Sequence, residues 1–419
     1  MSSSMTNKAD IDSMAGRRLN PAELKIELLC HGVRIGRTCR IQEEGRPVCG
    51  RPGHLASGLE LILPGELREL WVNAPVNEKF VERTPYHLLS AQGEYRLFDE
   101  RHDLSYHVKL APKPDWCDLC TTSGIPMFQI GMLNGTFLSI DLGEPIRRGV
   151  GEHALDRQSC RLERREAAGI EKTSVEDIVE TVSAAQKESG ITFALLCGGY
   201  QDAGGLTRLF PYLKALKQKV GILVGVQFPP EADLGLYDQA RSLGADQFSF
   251  CLEFFNKDYF DRYAPDTSPF PGRKHVFEAL EYCVRLMGKG RVSGEIIAGI
   301  EPIEDTLRAV DYLAGVGAVP LVRIFRPLRG TDMEDEAPPD SSEMIRVFRH
   351  VYQASRSHHL PIGMAPNIHF SVLPHPEDTL YLASDARDRY AYQRWIFTME
   401  QVMRPYFLRC MRRHAALRA

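Results

Sequence analysis

Several residues whose types can bind a small ligand stand where apolar, strand-like segments end. Gly198 and Gly199 follow one such segment, and adjacent glycines let the bare backbone approach a polar ligand and offer carbonyls to an ammonium group. Glu253 ends another segment, and a buried carboxylate needs a partner, which a ligand amine or hydroxyl would supply. Arg326 ends a third and can form a two-pronged pair with a carboxylate. Taken one at a time, the glycines are better explained by turns and the charged residues by ion pairs, and only the four strand ends in this order favour a ligand site.

A regular alternation of strands and helices positions these residues. Continuous apolar segments, typical of buried parallel strands, alternate with segments whose apolar residues recur at helical spacing. In one helical segment, Thr173 or Ser174 is the predicted N-cap and Gly190 the predicted stop. The strand-like segments are 135–143, 192–197, 221–228, 247–255, 292–300, 319–325 and the extended stretch 362–372; the helical ones are 173–190, 206–219, 233–243, 274–287, 303–313 and 342–355.

About six such units predict an α/β fold with a (β/α) barrel, full or partial, in which the chemistry sits at the strand ends. A doubly wound sheet is less favoured because no Gly-rich dinucleotide fingerprint follows the first strand. Short alternating segments broken by Gly, Pro and Asn predict a β-rich unit before the barrel. The expected divisions are a disordered tail (1–21), a β-rich N-terminal domain (22–114), the barrel (115–372) and a C-terminal helical extension (373–419).

Composition narrows the class of protein. The chain has 419 residues, of which 43% are hydrophobic and 25% charged, as expected for a folded globular protein. Its net charge of −4 gives no reason to expect a nucleic-acid partner. No run of 18 apolar residues predicts a membrane span, so no membrane partner is expected, and the polar start lacks the apolar core of a secretory signal. A cytoplasmic location is the expectation.

The strand ends together resemble the radical S-adenosylmethionine superfamily, in its biotin-synthase-like branch, over about 136–331. Gly198-Gly199-Tyr200 looks like that family's Gly-Gly-Glu-type motif, with Tyr200 at the third place. The segment 294–301 is loosely similar to the fifth-strand pattern, and 325–331 (FRPLRGT) to the sixth-strand segment. The resemblance implies an atypical member that binds S-adenosylmethionine. The implied cofactor-binding residues are Gly198, Gly199, Tyr200, Glu253, Gly299, Glu301 and Arg326.

The resemblance also implies a [4Fe–4S] cluster, an electron donor such as flavodoxin or ferredoxin, and a small organic substrate. The family's Cys-x3-Cys-x2-Cys motif is absent, because the loop after the first barrel strand contains Cys160 alone. Cys117 and Cys120 form a Cys-x2-Cys pair just before that strand and, with Cys160, would supply three non-standard thiolate ligands. The alternative is a barrel without a cluster, which binds S-adenosylmethionine or a nucleoside as a scaffold or for non-radical chemistry.

Other candidates have weaker patterns. Cys30, Cys39 and Cys49, with His54, match no zinc spacing, and chance placement in turns is the preferred interpretation. An unrelated metal-dependent hydrolase or lyase is disfavoured because the strand ends lack paired His-x-His or clustered Asp residues. Cys197, Cys251, Cys283 and Cys410 are interpreted as packing residues. The stretch 385–419 is predicted to be helical with a basic, solvated end.

Overall fold

The structure is a computed structural model that describes residues 17–37, 39, 57–66, 68–142, 173–198, 205–263, 272–361, 363, 365 and 367–412. The described chain is a mixed α/β protein with two sheets, one of six strands and one of seven. Within these residues, no helix has the length and apolar character needed to cross a membrane.

The first sheet follows a short, well-capped helix. The Asn20 side chain accepts hydrogen bonds from the backbone N–H groups of Ala22 and Glu23, and the Glu23 carboxylate accepts one from the backbone N–H of Asn20. These bonds satisfy N–H groups at the start of the helix that have no partner within it. The predicted disordered tail of 1–21 is therefore too long, because residues 17–20 already belong to this unit; residues 1–16 lie outside the described chain.

The first sheet lies within the segment that the sequence predicts to be β-rich. Its strand order is β1-β4-β5-β6-β2-β3, and every neighbouring pair is antiparallel except β1 and β4. The elements are α1 (Pro21–His31), β1 (Arg34–Ile35), β2 (Leu59–Leu63), β3 (Leu70–Ala74), β4 (Tyr86–Ala91), β5 (Glu94–Asp99) and β6 (Leu104–Leu110).

The second sheet has the order β13-β12-β11-β10-β9-β8-β7. Strands β8 to β13 are parallel, and β7 is the antiparallel partner of β8. Six parallel strands in sequence order, with β13 and β7 at the two ends, form the partial-barrel type of sheet that the alternation predicts. The elements are α2 (Met127–Ile130), β7 (Gly131–Asn134), β8 (Phe137–Asp141), α3 (Val175–Ser189), β9 (Phe193–Cys197), α4 (Phe210–Ala215), β10 (Leu223–Gln227), α5 (Gly235–Ser242), β11 (Gln247–Glu253), α6 (Lys257–Tyr263), α7 (Gly272–Met287), β12 (Val292–Ala298), α8 (Ile303–Val316), β13 (Val319–Ile324), α9 (Ser341–Ser357) and α10 (Ala386–Arg412).

Local signals explain most of these boundaries. Helix α3 begins at a capping box formed by Ser174 and Asp177 and ends at Gly190, which has a φ of 61°, as its sequence predicts. The predicted helix over 206–219 is instead a 3-10 turn, α4 and a π turn. In the π turn, the buried Lys217 side chain donates to the Ile222 carbonyl and to Asp246.

The stretch predicted to extend over 362–372 contains no strand among its described residues. It instead bridges the two sheets. Thr136, in the β7–β8 turn, donates through its hydroxyl to the Asn367 carbonyl (2.7 Å) and through its backbone N–H to the His369 carbonyl (3.0 Å). Farther along, the Ser371 carbonyl accepts a hydrogen bond from the Asn73 backbone N–H in β3 (2.9 Å).

A cluster of buried charged residues holds the end of this bridging segment. Lys25 of α1 donates to the Asp378 carboxylate (2.7 Å), and Arg68 forms an ion pair with Glu377. Arg68 also contacts the His369 ring (2.7 Å), and His375 stacks on Phe370. We call Lys25, Arg68, His369, His375, Glu377 and Asp378 the junction cluster.

Burial shifts the pKa values in the junction cluster in opposing senses. Loss of hydration lowers the pKa of His369 to about 4 and that of His375 to about 3. Each histidine therefore binds its proton more readily in the unfolded chain than in the folded one. The free energy of unfolding consequently falls as the pH decreases below 6.5. Burial raises the pKa of Glu377 to about 7, so the folded chain binds this proton more readily than the unfolded one. The contribution of Glu377 to the free energy of unfolding is therefore complete below pH 4.5 and is lost as the pH rises through 7.

Replacing Glu377 should expose the histidine contribution. In Glu377→Gln we expect the free energy of unfolding to fall more steeply than in the native chain as the pH decreases from 6.5 to 5, by up to about 1.4 kcal/mol per pH unit. Urea unfolding at several pH values measures both slopes. Glu336→Gln, at an exposed acid, is the control and should keep the native slope. Identical slopes for Glu377→Gln and the native chain would contradict the raised pKa.

Candidate functional site

One face of the parallel strands packs against the helices that connect them, and the other is the opposite face of the sheet. Gly294 faces the helices, because a Cβ there would lie 2.4 Å from the Leu313 side chain of α8. Side chains alternate along a strand, so Ser293 and Glu295 lie on the opposite face, which we call the inner face. By strand register and alternation, the inner face near the strand ends contains Asp141, Cys197, Gln227, Cys251, Glu295 and Arg323.

A hydrogen-bonded ion pair lies on this face. We call its members Glu295 and Arg323, together with Gln227, the floor. The Arg323 Nε group donates to Glu295 Oε2 (2.6 Å), and the Gln227 amide donates to Glu295 Oε1 (2.7 Å). Donors from two other strands, β13 and β10, thus satisfy the buried carboxylate of β12. The Gln227 amide nitrogen also lies 3.4 Å from the Ser249 hydroxyl and 3.4 Å from the Cys251 thiol.

The electrostatics of the floor favour a permanently charged Arg323. Burial acts to lower the pKa of Arg323, but the Glu295 carboxylate outweighs it, with Cys251 and Glu253 acting in the same sense, and the pKa is raised. The Arg323 side chain keeps 21% of its exposure, against 7% for Glu295. The floor can therefore present a fixed cation edge and a fixed acceptor to a polar ligand.

Sequence reasoning did not select Gln227, Glu295 or Arg323 as site residues. The available signal is their place in the strands: each is a polar residue within a segment that is otherwise apolar, at alternating positions that share one face. A polar residue at such a position needs a partner, and neighbouring parallel strands supply it.

Glu253, a predicted site residue, lies at the end of β11 in a strained conformation. Its φ is 57°, a left-handed value that is unfavourable for residues other than glycine, and the β11–β12 register shifts between Cys251 and Glu253. The shift places Glu253 near Arg323, which its carboxylate influences electrostatically. Strain of this kind persists where the surrounding structure fixes it and is frequent at ligand sites.

The glycine pair is described only in part. Gly198 is buried next to β10, and its backbone N–H donates to the Gln227 carbonyl (2.9 Å), so it borders the Glu295 floor. Gly199 and Tyr200 lie outside the described residues, and their contact with a ligand stays a prediction.

Gly299 and Glu301 lie at the adjoining end of β12. Gly299 has a φ of 101°, and a Cβ there would lie 2.1 Å from the Pro339 side chain, so only glycine fits. Glu301 is buried and accepts a hydrogen bond from the Asn256 backbone N–H (2.9 Å), three residues after Glu253. Burial raises the pKa of Glu301, and hydrogen bonds from the backbone of Asn256 and Phe255 oppose this rise. Glu301 thus holds the loop that follows Glu253.

Arg326 follows β13 and turns toward the first sheet. Its Nε group donates to Glu78 Oε1 (2.7 Å), and both side chains are almost completely buried. Burial lowers the pKa of Arg326, and Glu78 opposes the shift. The structure therefore places Arg326 beside the strand ends but gives its guanidinium a partner within the protein.

The predicted cysteine ligands lie along the flank of α3. Trp116 donates its backbone N–H to Glu188 and its indole N–H to Ser189, near the end of α3, whereas the Ser123 hydroxyl contacts Asp177 near its start. Cys117 is half-buried and Cys120 exposed between these anchors. Their spacing suits a shared metal, but Cys160 lies outside the described residues, and the described residues alone contain no group of three ligands.

The cysteines interpreted as packing residues are mixed in character. Cys283 is fully buried in α7, and burial raises the pKa of its thiol, as a packing role requires. Cys30, which is predicted to lie in a turn, instead lies buried in α1, and burial raises the pKa of its thiol. Cys197 is buried in an apolar cluster on the inner face, as a packing role requires, whereas Cys251 is half-buried there beside the Gln227 amide. The Cys39 thiol donates to the Leu88 carbonyl (3.2 Å), and Cys49 and His54 lie outside the described chain.

Known proteins show only distant likenesses to this chain. No family model matches it. A bacteriochlorophyllide c C-7(1)-hydroxylase from Chlorobaculum limnaeum is 27% identical over 125 residues, which cover 30% of this chain and 31% of the hydroxylase. The chain thus matches about a third of the length of that relative.

Two solved structures described as radical SAM enzymes overlap with part of the fold. Coproporphyrinogen III oxidase from Escherichia coli gives a TM-score of 0.32 at 13% identity, over 40% of this chain and 41% of its own. A radical SAM methyltransferase from Sphaerobacter thermophilus gives 0.38 at 12% identity, over 66% and 76%. At these scores the overlaps support no argument, and the architecture rests on the chain's own strand order.

The strain at Glu253 predicts a difference between two substitutions. Both Glu253→Gly and Glu253→Ala remove the carboxylate, but only glycine tolerates the left-handed backbone. The Gly variant should therefore exceed the Ala variant in free energy of unfolding by about 1 kcal/mol. Urea unfolding measures the difference. An Ala variant as stable as the Gly variant would show that the position is unstrained.

The contacts of Glu295 predict that one substitution strongly lowers the free energy of unfolding and that a double substitution lowers it less. Glu295→Ala leaves the Arg323 guanidinium and the Gln227 amide without their acceptor, and should lower the free energy of unfolding by about 3 kcal/mol. Glu295→Leu combined with Arg323→Leu should cost less than Glu295→Ala, because an apolar pair leaves no uncompensated charge. A double variant less stable than the single one would contradict this account.

Proposed function

We propose that the chain is a radical S-adenosylmethionine-type enzyme that acts on a small organic substrate through an iron–sulfur cluster with non-standard cysteine ligands. The observation that supports it most is the set of strand ends at one edge of six consecutive parallel strands. Gly198 follows β9, Glu253 ends β11, Gly299 and Glu301 follow β12, and Arg326 follows β13. Ligand sites of such sheets lie at this edge.

The sequence likeness gives further support. The resemblance covers about 136–331, which includes all six parallel strands. The similarity to a hydroxylase is consistent with an enzyme, although it covers about a third of that protein.

The proposed roles of the chain's own residues follow from their geometry. Gly198 and Gly199 would present backbone groups to the ligand ammonium, with Tyr200 beside them. Glu253, held in its strained conformation by the Glu301 loop, would accept a hydrogen bond from a ligand amine or hydroxyl. Gly299, against which Pro339 packs, would offer only its backbone groups to the ligand.

Arg326 has a more constrained role. Its Nε and Nη2 groups pair with Glu78 and its Nη1 group lies 3.5 Å from Asn73 Oδ1, so a ligand carboxylate would have to displace one of these partners. Its pairing also fixes the β13 end against the first sheet. Arg326 thus completes the proposed cofactor-binding set from the side of the N-terminal unit.

Cys117, Cys120 and Cys160 are the proposed cluster ligands. When bound, such a cluster supplies the electron that cleaves S-adenosylmethionine reductively, drawn from a donor such as flavodoxin or ferredoxin. The contacts of Trp116 and Ser123 with α3 hold both Cys117 and Cys120 on one short segment before the first parallel strand. The loop that contains Cys160 must then return to them.

One observation favours a second candidate function. The loop after the first parallel strand contains a single cysteine, where the family places three. A barrel that binds S-adenosylmethionine or a nucleoside without a cluster, as a scaffold or for non-radical chemistry, would need none of them.

Anaerobic reconstitution with iron and sulfide separates the two candidates. The native chain should take up iron with broad visible absorbance, and Cys117→Ala, Cys120→Ala and Cys160→Ala should each lose it while retaining the fold. Cys39→Ala, at a half-buried thiol outside the trio, is the control and should keep its iron. Full iron in all three variants would exclude these ligands.

Calorimetry with S-adenosylmethionine completes the test. Binding by the reconstituted native chain is expected, and Glu253→Gln should weaken it. A native chain that takes up no iron but still binds S-adenosylmethionine would favour the candidate without a cluster. Absence of both iron and binding, with S-adenosylhomocysteine also inert, would overturn the proposal.

A further inference from the structure

One member of the floor, Arg323, has donors that its neighbours leave unused. Its Nε group donates to Glu295, but among the described residues its two terminal nitrogens have no hydrogen-bond partner. The Arg323 side chain is also partly exposed, whereas Glu295 is buried and accepts hydrogen bonds on both of its oxygens. The floor therefore offers a ligand the edge of a guanidinium, whose geometry matches the two oxygens of a carboxylate.

Exposure alternates along the strands that border the floor. Four helix-facing residues of β9 and β10 are at most 1% exposed, whereas four inner-face residues of the same strands retain between 5% and 8%. The first set is Ala194, Leu196, Val224 and Val226, and the second is Phe193, Leu195, Cys197 and Leu223. Nearer the strand ends, Gln227, Cys251 and Arg323 are half-buried. Solvent thus reaches the inner face, and a ligand can take its place.

The inner face beside the floor is apolar. Cys197 is the neighbour of Gln227 in the adjacent strand. Leu195 lies two residues farther from the strand end, opposite Gly225. A Cβ at Gly225 would lie 2.4 Å from the Phe193 ring and 2.9 Å from the Leu195 side chain, so glycine lets both side chains cover β10. A ligand anchored at the floor therefore has apolar surface next to it.

We propose that the inner face binds an organic carboxylate with an apolar body as the substrate. The terminal edge of Arg323 pairs with the carboxylate through two parallel hydrogen bonds, and the apolar body lies against Leu195 and Phe193. This inference rests on the proposed function for the reaction that follows binding, and it narrows the small organic substrate to one chemical class.

The depth of Arg323 separates this carboxylate from that of S-adenosylmethionine. Gly198, Gly299 and Arg326 follow strand ends, whereas Arg323 lies within β13 and Glu295 within β12. The three residues from Arg323 to Arg326 correspond to about 10 Å of extended chain. A cosubstrate held by the loops at the edge of the sheet leaves the deeper inner face for a second ligand.

Binding of two matched probes to the full chain tests the inference. Naphthoate has an apolar body and a carboxylate, and naphthamide has the same shape without the charge. Calorimetry should show that naphthoate binds at least about tenfold more tightly than naphthamide, because only the carboxylate pairs with the guanidinium through charge-assisted hydrogen bonds. Neither probe needs iron, so the measurement is made before and after reconstitution.

Two variants isolate the guanidinium of Arg323. Glu295→Gln keeps the guanidinium and should retain the preference for naphthoate. Glu295→Gln/Arg323→Gln removes both charges and should bind the two probes with similar affinity. Arg241→Gln, at an exposed arginine of α5, is the control and should bind like the native chain. Thermal unfolding verifies the fold of each variant.

Protection of Cys251 from alkylation shows where naphthoate binds. The half-buried Cys251 thiol lies 3.4 Å from the Gln227 amide nitrogen on the inner face, whereas Cys120 is exposed on the flank of α3. Saturating naphthoate should slow the reaction of Cys251 with N-ethylmaleimide and leave that of Cys120 unchanged, as mass spectrometry of the peptides measures. This experiment uses the native chain, so it decides the question if the variants misfold.

S-Adenosylmethionine and Glu253→Gln distinguish the substrate carboxylate from that of the cosubstrate. S-Adenosylmethionine bound to the reconstituted chain should leave the affinity for naphthoate unchanged. Glu253→Gln should weaken the binding of S-adenosylmethionine but strengthen that of naphthoate, because it removes a negative charge that acts on Arg323.

Several results would overturn the inference. They are equal affinity for naphthoate and naphthamide, no binding of either, an unaltered preference in the double variant, and equal alkylation of Cys251 with and without naphthoate. Displacement of naphthoate by S-adenosylmethionine would assign Arg323 to the cosubstrate instead. A chain that binds naphthoate as expected, but neither iron nor S-adenosylmethionine, would retain the carboxylate site and contradict only the proposed function.

Discussion

Two buried ion pairs, Lys25–Asp378 and Arg68–Glu377, constrain how the parts of this chain fit together. A charge taken out of water is costly unless its partner stays in place, so the segment around Asp378 must remain where both Lys25 and Arg68 reach it. The same segment binds the β7–β8 turn through Thr136. The first sheet, the second sheet and the segment that leads into α10 are thus fixed relative to one another by paired charges as well as by apolar packing.

A third buried pair acts at the strand ends. Arg326 and Glu78 join the end of β13 to the first sheet, and therefore one side of the candidate site is bounded by the N-terminal unit. Glu295, Arg323 and Gln227 also lie on the inner face of the second sheet, where they join three strands through one carboxylate. Such polar groups add little to stability compared with a packed apolar layer, but each one that loses its partner is costly. They therefore constrain how β10, β12 and β13 pair more than they stabilise the sheet.

How far the sequence predicts this structure depends on the range of each interaction. Local signals sufficed for α3, whose cap and terminal glycine lie within its own segment, and for the parallel strands, whose apolar runs need no partner to be recognised. The partner of Arg326 was not predictable, because Glu78 lies 248 positions away in the sequence. Gln227 and Arg323 meet at Glu295 from strands that are 68 and 28 positions away from it, respectively.

Long-range contacts also decide the conformation of residues that the sequence does select for the site. Glu253 could be selected as a strand-end acid, but its left-handed backbone depends on the register shift between β11 and β12, which involves two strands. Glu301 could be selected from its motif, but its hydrogen bond to the loop after Glu253 depends on how two strand ends meet. Sequence patterns thus identified which residues stand at the edge of the sheet, whereas tertiary contacts decide which of them face a ligand.

Helix α10 packs against the fold at two places. Tyr392 contacts Tyr352 of α9, and Phe407 packs on the inner-face cluster that contains Phe193 and Leu223. Pro405 lies within the helix between these contacts and has no backbone N–H, so the hydrogen bond that a helix would form there is missing. The position of the last turns of α10 therefore depends on the apolar packing of Phe407 at the inner face as well as on the helix itself.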